Sequence, residues 1–74
     1  MDLSEKSASN LAFMVEQIKD RLNVATAQSI KAEQFDLAKY DDLKDMYEYV
    51  MGKTNFSISE IDALCGELRQ LKKP

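Results

Sequence analysis

The 74-residue sequence has no histidine, no tryptophan and one cysteine, and its only proline is the last residue, Pro74. Zinc and other transition-metal sites are built mainly from several His and Cys ligands, so such sites are effectively excluded. Acid–base catalysis by histidine is excluded as well. A lone cysteine allows no internal disulfide bond. We therefore expect no catalytic residues, no metal site, no cofactor and no enzymatic activity.

Glycine occurs only twice, as Gly52 and Gly66, which rules out glycine-rich phosphate loops and dinucleotide fingerprints. Long apolar runs are also missing. No segment approaches the about 20 apolar residues of a membrane-spanning helix, and the first ten residues lack an apolar run of signal-peptide length. We expect a cytoplasmic protein with no membrane contact and no small-molecule substrate.

The formal net charge is −3, which argues against nucleic acid as the partner because phosphate backbones require a basic surface. Hydrophobic residues make up 45% of the chain and charged residues 31%, an ordinary balance for a folded protein. The length permits one domain, residues 1–74. A domain this small is marginally stable, so it must use its apolar residues efficiently or gain stability from a partner.

Apolar residues recur at steps of three and four in three segments, which is the spacing of one face of an α-helix. The pattern predicts helices over about 4–22, 37–51 and 58–72. Three apolar stripes can bury one another only by converging, so the predicted fold is all-α, a small three-helix bundle. The predicted stripes are Leu11, Met14, Val15, Ile18 and Leu22; Tyr40, Leu43, Met46, Tyr47, Val50 and Met51; and Ile58, Ile61, Leu64, Cys65, Leu68 and Leu71.

Residues with capping preferences mark the ends of these helices. Ser4 and Asp36 are the candidate N-caps of the first two, and Ser57 opens the third as the first residue of an S-x-x-E capping box. Asn23 and Gly52 suit the left-handed conformation that often ends a helix.

Residues 23–36 have no clear periodicity. We expect one or two short helical turns within 24–35, with Val24, Ile30 and Phe35 turned inward. A strand is the minority alternative, because a lone strand finds no partner in this chain. The expected architecture is thus the bundle with a short helical segment between the first and second long helices.

Three stretches of the sequence resemble one family. They are LNVATAQSIKAEQF (22–35), LKDMYEYV (43–50) and FSISEIDALCGELRQLKK (56–73). The chain is similar over nearly its whole length to uncharacterised protein family four hundred and thirty-five, short proteins of bacilli, staphylococci and their relatives. Lys31-Ala32 stands where the family pattern has an Asp-Pro pair. The resemblance implies a bacterial cytoplasmic protein of unknown function and supplies no site residues.

An acidic group and the single cysteine resemble a metal site and a reactive thiol, but structural roles explain both better. Asp41, Asp45 and Glu48 share one side of the second helix, yet hard cations take six to eight oxygen ligands that one rigid helix does not gather. We expect a solvated acidic face. Cys65 lies on an apolar stripe with no histidine to activate it, so we expect a buried, inert thiol.

Two aromatic residues are left over once the core is assigned. Phe13 points away from the first stripe, and Tyr49 lies off the second stripe beside Asp42 and Asp45. In the simplest interpretation, Phe13 is either covered by residues 23–36 or exposed alone. A single exposed apolar residue is normal on a protein surface and needs no functional explanation. The functional alternative makes Phe13 and Tyr49 contacts for a partner, since aromatic anchors often dominate interface energies.

The main functional hypothesis is therefore a non-catalytic protein–protein interaction module, either a homodimer or an adaptor for another protein. A weak nucleic-acid-binding role through the basic C-terminal end is the alternative. That end would consist of Arg69, Lys72 and Lys73, with Lys53 nearby, although no aromatic is interleaved for base stacking.

Overall fold

The computed structural model describes residues 2–23 and 30–72, and this part of the chain is all-α. No strand occurs in these two ranges, and the only β-type pairing within them is one isolated antiparallel bridge between Phe35 and Lys72. The elements, in chain order, are α1 (Ala8–Leu22), 3₁₀ turns at Ala32–Gln34 and Leu37–Lys39, α2 (Tyr40–Gly52) and α3 (Ile58–Gln70). The predicted bundle and its short intervening helical segment are thus confirmed.

One apolar cluster holds the three helices together. Every residue of the predicted α1 stripe is buried, and α1 packs directly on α2 and on the turn Ala32–Gln34. The Cα radius of gyration, 11.4 Å, is close to the value of about 11 Å expected for a folded domain of this length. The buried apolar residues are Leu11, Met14, Val15, Ile18, Leu22, Ile30, Phe35, Tyr40, Leu43, Met46, Val50, Leu64, Cys65 and Leu68.

The first helix begins at Ala8 rather than at residue 4, and its N-cap is Ser7 rather than the predicted Ser4. The Ser7 hydroxyl accepts a hydrogen bond of 3.1 Å from the backbone N–H of Asn10. Ser4 is engaged elsewhere: its backbone N–H and its hydroxyl both donate to the carboxylate of Asp2, at 3.0 and 2.6 Å. This local turn competes with the cap, because an Asp side chain can bond the backbone two residues on.

The segment before α1 is tied to the bundle by two side chains. Asn10 is buried, and its amide donates to the backbone carbonyls of Asp2 and Glu5, both at 2.8 Å. The buried Tyr40 of α2 donates its hydroxyl to the carbonyl of Leu3. Both polar groups are therefore satisfied inside the fold.

The predicted ends of α1 and α2 are both confirmed, but the left-handed conformation expected at the end of each helix occurs only in α1. Asn23 is left-handed (φ 46°, ψ 48°), with its N–H bonded to Lys19. Gly52 instead stays in the last turn of α2 without a positive φ, and Lys53 leaves in extended backbone. Arg21 of α1 donates to the carbonyls of Val50 and Lys53, so terminal carbonyls find a donor without a left-handed glycine.

The described part of the connection between α1 and α2 forms a short helical turn and buries its apolar residues, as predicted. Ile30 and Phe35 are buried as predicted, whereas Val24 lies outside the described residues. The turn Ala32–Gln34 contains no proline, and the Gln34 side chain accepts a hydrogen bond of 3.1 Å from the backbone N–H of Lys31 at its start. Asp36 caps the second 3₁₀ turn rather than α2 itself, accepting from Ala38 N–H at 3.2 Å.

The third helix has the predicted capping box: Ser57 accepts from the backbone N–H of Glu60 at 3.1 Å, and Glu60 accepts from that of Ser57 at 3.2 Å. Ile58, however, was expected in the core and is 80% exposed. It is the first residue of α3. Ile61, one turn later, is the first residue of this helix to pack against the cluster.

The substitution Ser57→Ala should lower the free energy of unfolding by about 1 kcal/mol, because the N-cap hydroxyl is lost. Ser59→Ala is the matched control: Ser59 is exposed in the same helical turn and makes no side-chain hydrogen bond within residues 30–72. Urea unfolding followed by circular dichroism measures both. Equal midpoints for the two variants would contradict the capping role.

Candidate functional site: a groove with an acidic rim between α2 and α3

An open groove of about 620 Å³ lies between α2 and α3. Met46 of α2 and Leu64 of α3 form its floor, and both belong to the apolar core cluster. Leu71, at the end of α3, is half-buried and extends the apolar surface. The groove is therefore a place where the core reaches the surface between two helices.

The groove follows both helices for two to three turns. It is lined over residues 42–49 of α2 and 60–71 of α3. At 1.5 Å per residue these stretches are about 10 Å and about 16 Å long. The Tyr49 hydroxyl donates to the Glu60 carboxylate at 3.3 Å, which places the end of α2 beside the start of α3.

Carboxylates line both sides of this apolar floor. Asp42 and Asp45 project from α2, and Glu60 and Glu67 from α3. Within residues 2–23 and 30–72, Asp42, Asp45 and Glu67 take part in no salt bridge. In the same ranges no group of three or more Cys, Asp or Glu side chains comes close enough to hold a metal ion. The rim therefore presents negative charge without gathering into a cation site.

One end of the groove is held by a small charged cluster. The Lys53 ammonium donates to the Glu60 carboxylate and lies 5.6 Å from the ring centroid of Tyr49 and 5.8 Å from that of Phe56. The hydrogen bond from Lys53, helped by the N–H of Ser57, holds the pKa of Glu60 below its ordinary value. The same hydrogen bond raises the pKa of Lys53. The pair is thus ionised at neutral pH and positions Tyr49.

The structure separates the two aromatic residues singled out from the sequence. Tyr49 is 51% exposed and lines the groove with Asp42 and Asp45. Phe13 does not line it. Its ring lies 6.0 Å from that of Tyr47, tilted by 57°, and it is half-buried against the core. Phe13 thus gains cover from α2, which the sequence analysis did not foresee.

Lys53 lies apart from the basic residues with which it was expected to cluster. Lys53 pairs with Glu60 in the first turn of α3, whereas Arg69 lies in its last turn. The expectation that Lys53 lies near the C-terminal cations is therefore wrong, because the length of α3 separates them. Lys73 falls outside the described residues.

The sequence patterns do not predict the groove, because each pattern describes one helix alone. Glu60 was assigned only a capping role, and Glu67 was not singled out. A usable signal existed: Asp42 and Tyr49, and likewise Glu60 and Glu67, are spaced seven apart along an edge of an apolar stripe. Acidic edges on two helices that share a seam predict an acidic rim.

The substitution Lys53→Met should raise the pKa of Glu60 toward the ordinary glutamate value of about 4.3. Because the folded-state pKa is depressed, the pair stabilises the fold above that value, and this stabilisation is lost as the pH falls through the folded-state pKa. An NMR titration of the Glu60 carboxyl carbon measures the change. Lys39→Met, at an exposed lysine outside the groove, should leave it unaltered. An identical Glu60 pKa in the parent and in Lys53→Met would refute the assignment.

No helix within the described residues is long and apolar enough to cross a membrane. A family model described as "Protein of unknown function (DUF1128)" matches residues 3–73. No solved structure matches the chain.

Several relatives match over the full chain. It is 52% identical over 73 residues to a UPF0435 protein of Geobacillus sp. (strain WCH70), covering 99% of each chain. It is 48% identical to a UPF0435 protein of Bacillus cytotoxicus, again covering 99% of each. A UPF0435 protein of Halalkalibacterium halodurans is 41% identical over 99% of this chain and 100% of its own. The chain therefore belongs to the UPF0435 family of uncharacterised bacterial proteins, also described as DUF1128, as its sequence resemblance indicated.

Proposed function

We propose that this protein is a non-catalytic cytoplasmic interaction module that receives a segment of a protein partner in the groove between α2 and α3. The observation that carries the proposal is the open groove between these helices, where the half-exposed ring of Tyr49 and the accessible Ala63 and Leu71 stand over the buried Met46 and Leu64. Concave apolar surfaces with a few polar groups at the edge are the usual form of a binding site. Tyrosine is enriched among residues that dominate interface energies.

The size of the chain gives such a partner an energetic role. A domain of 74 residues has a small core and marginal stability. A partner that binds only the folded state shifts the folding equilibrium toward that state by mass action. A partner in the groove would cover Ala63, Leu71 and the ring of Tyr49, the lining residues that keep exposed apolar surface above the buried Met46 and Leu64.

The chemistry of the groove supports binding rather than catalysis. Its titratable side chains are carboxylates and Tyr49, and it is open along its length. Carboxylate acid–base catalysis works best in a cleft that excludes water. The single thiol, Cys65, is buried in the core rather than presented there. A buried free thiol also suits a reducing compartment.

Nucleic-acid binding through the C-terminal end is the weaker candidate. Lys53 does not join Arg69 and Lys72, and the groove between α2 and α3 has the wrong sign for a phosphate backbone. No described feature favours it over a protein partner.

Site-specific photo-crosslinking in Bacillus cells tests the proposed function. Gln70→p-benzoylphenylalanine places the probe on the groove lining, and Asp20→p-benzoylphenylalanine places it on an exposed position of α1. We expect a discrete protein adduct from position 70 and none from position 20.

The adduct at position 70 should also disappear when Ala63→Trp fills the groove, while Ser59→Trp, outside the lining, should preserve it. Adducts that form equally from both probe positions, or from neither, would remove the proposed function. So would an adduct that survives Ala63→Trp.

A further inference from the structure

We infer that the segment bound in the groove is a cationic amphipathic helix of another protein, with one apolar stripe flanked by Lys or Arg side chains. This inference rests on the proposed function and names the chemistry of the partner. Three observations lead to it. They are the negative charge of the rim, the length of the groove along the two helices, and the repulsion that a second copy of the chain would meet there.

The rim determines the sign of the partner. Carboxylates stand on both walls, Asp42 and Asp45 on one and Glu67 on the other, with an apolar floor between them. None of these three carboxylates takes part in a salt bridge within the described ranges. A segment with an apolar centre and cations on both edges matches this arrangement. Complementary charge of this kind steers association and discriminates between partners more than it adds affinity.

The length of the groove determines the form of the segment. A helix that lies along the groove would place anchors at i, i+4 and i+7, which span about 10 Å. That matches the about 10 Å lined by α2 and fits within the about 16 Å lined by α3. Anchors so spaced would rest on Met46 and Leu64 at the floor and on Leu71 at the far end. Two to three turns of partner helix are therefore enough.

The same charges disfavour a second copy of this chain as the occupant. In a two-fold dimer across the groove, the same surface meets itself. Asp42, Asp45 and Glu67 would then approach the carboxylates of the other copy, and like charges in contact oppose association. A nucleic acid carries the same unfavourable sign. A basic helix on a different protein avoids both conflicts.

Binding of model peptides tests the inference directly. The probe is a fluorescein-labelled 14-residue peptide of Leu and Lys with the apolar residues at helical spacing. One comparison peptide has Glu in place of Lys, and another has the Lys peptide's composition in scrambled order. Fluorescence polarisation should show the amphipathic Lys peptide binding at least tenfold more tightly than either comparison peptide. Its affinity should fall as NaCl rises from 50 to 300 mM.

Charge-reversal variants locate the binding. The double variant Asp45→Lys/Glu67→Lys should weaken binding of the Lys peptide at least tenfold. The double variant Asp20→Lys/Glu48→Lys makes the same change in net charge at exposed helical positions outside the groove and should change affinity less than threefold. The neutral pair Asp45→Asn/Glu67→Gln should give an intermediate loss, which keeps the test valid if charge reversal disturbs folding.

Three results would overturn the inference. The first is equal binding of the Lys peptide and either the Glu peptide or the scrambled peptide. The second is an equal loss of binding in the control double variant and the groove double variant. The third is light scattering that shows salt-sensitive oligomers of the protein alone, abolished by Asp45→Lys/Glu67→Lys, because the occupant would then be a second copy. If the position-70 crosslink forms while the Lys peptide shows no preference, the proposed function stands and only the cationic partner is wrong.

Discussion

The burial of α1 is the interaction on which the rest of the structure depends. Its stripe supplies Met14, Val15 and Ile18, none of which retains solvent exposure. A folded domain is stable by only about 5–15 kcal/mol, and truncating one such buried side chain to alanine removes about 2–5 kcal/mol. The buried apolar residues of 2–23 and 30–72 form a single cluster, so the described part of the chain has no second core to compensate. The helix α1 therefore determines whether α2 and α3 have a surface to pack on.

Polar contacts then fix elements that the apolar cluster alone would leave loosely placed. Asn10 and Tyr40 hold the segment before α1, and Arg21 of α1 bonds the carbonyls at the end of α2. The Lys53–Glu60 ion pair links the end of α2 to the start of α3. The helices α2 and α3 are joined at this end and share one core, and the groove lies along the seam between them, at their acidic edges.

The sequence predicts the parts of this fold that depend on local chemistry. The stripe of α1, the left-handed Asn23 and the capping box at Ser57 all follow from side-chain spacing and capping preferences. The errors have two causes. Ser4 bonds Asp2 instead of capping α1, and Ile58 lies in the helical turn of α3 that precedes the core.

The candidate site is harder to predict because it belongs to no single helix. Tyr49 was identified as left over from its stripe, but its neighbour Glu60 comes from α3 and depends on how α2 and α3 are placed. Phe13 illustrates the same limit, since the aromatic ring beside it is that of Tyr47 in α2. Helical periodicity describes one helix at a time, whereas a groove is a property of two. Its dimensions follow only from the packed structure.

The central claim is that α3 packs on a core built around α1, with the groove along the seam between α2 and α3. Methyl NOE spectroscopy on selectively labelled protein tests this claim most directly. We expect NOEs from the methyl groups of Leu64 and Leu68 to methyl groups of both α1 and α2, together with slow amide exchange through the middle of α3. This packing would be refuted if the methyl groups of α3 gave NOEs only within their own helix and its amides exchanged as fast as those of an isolated peptide.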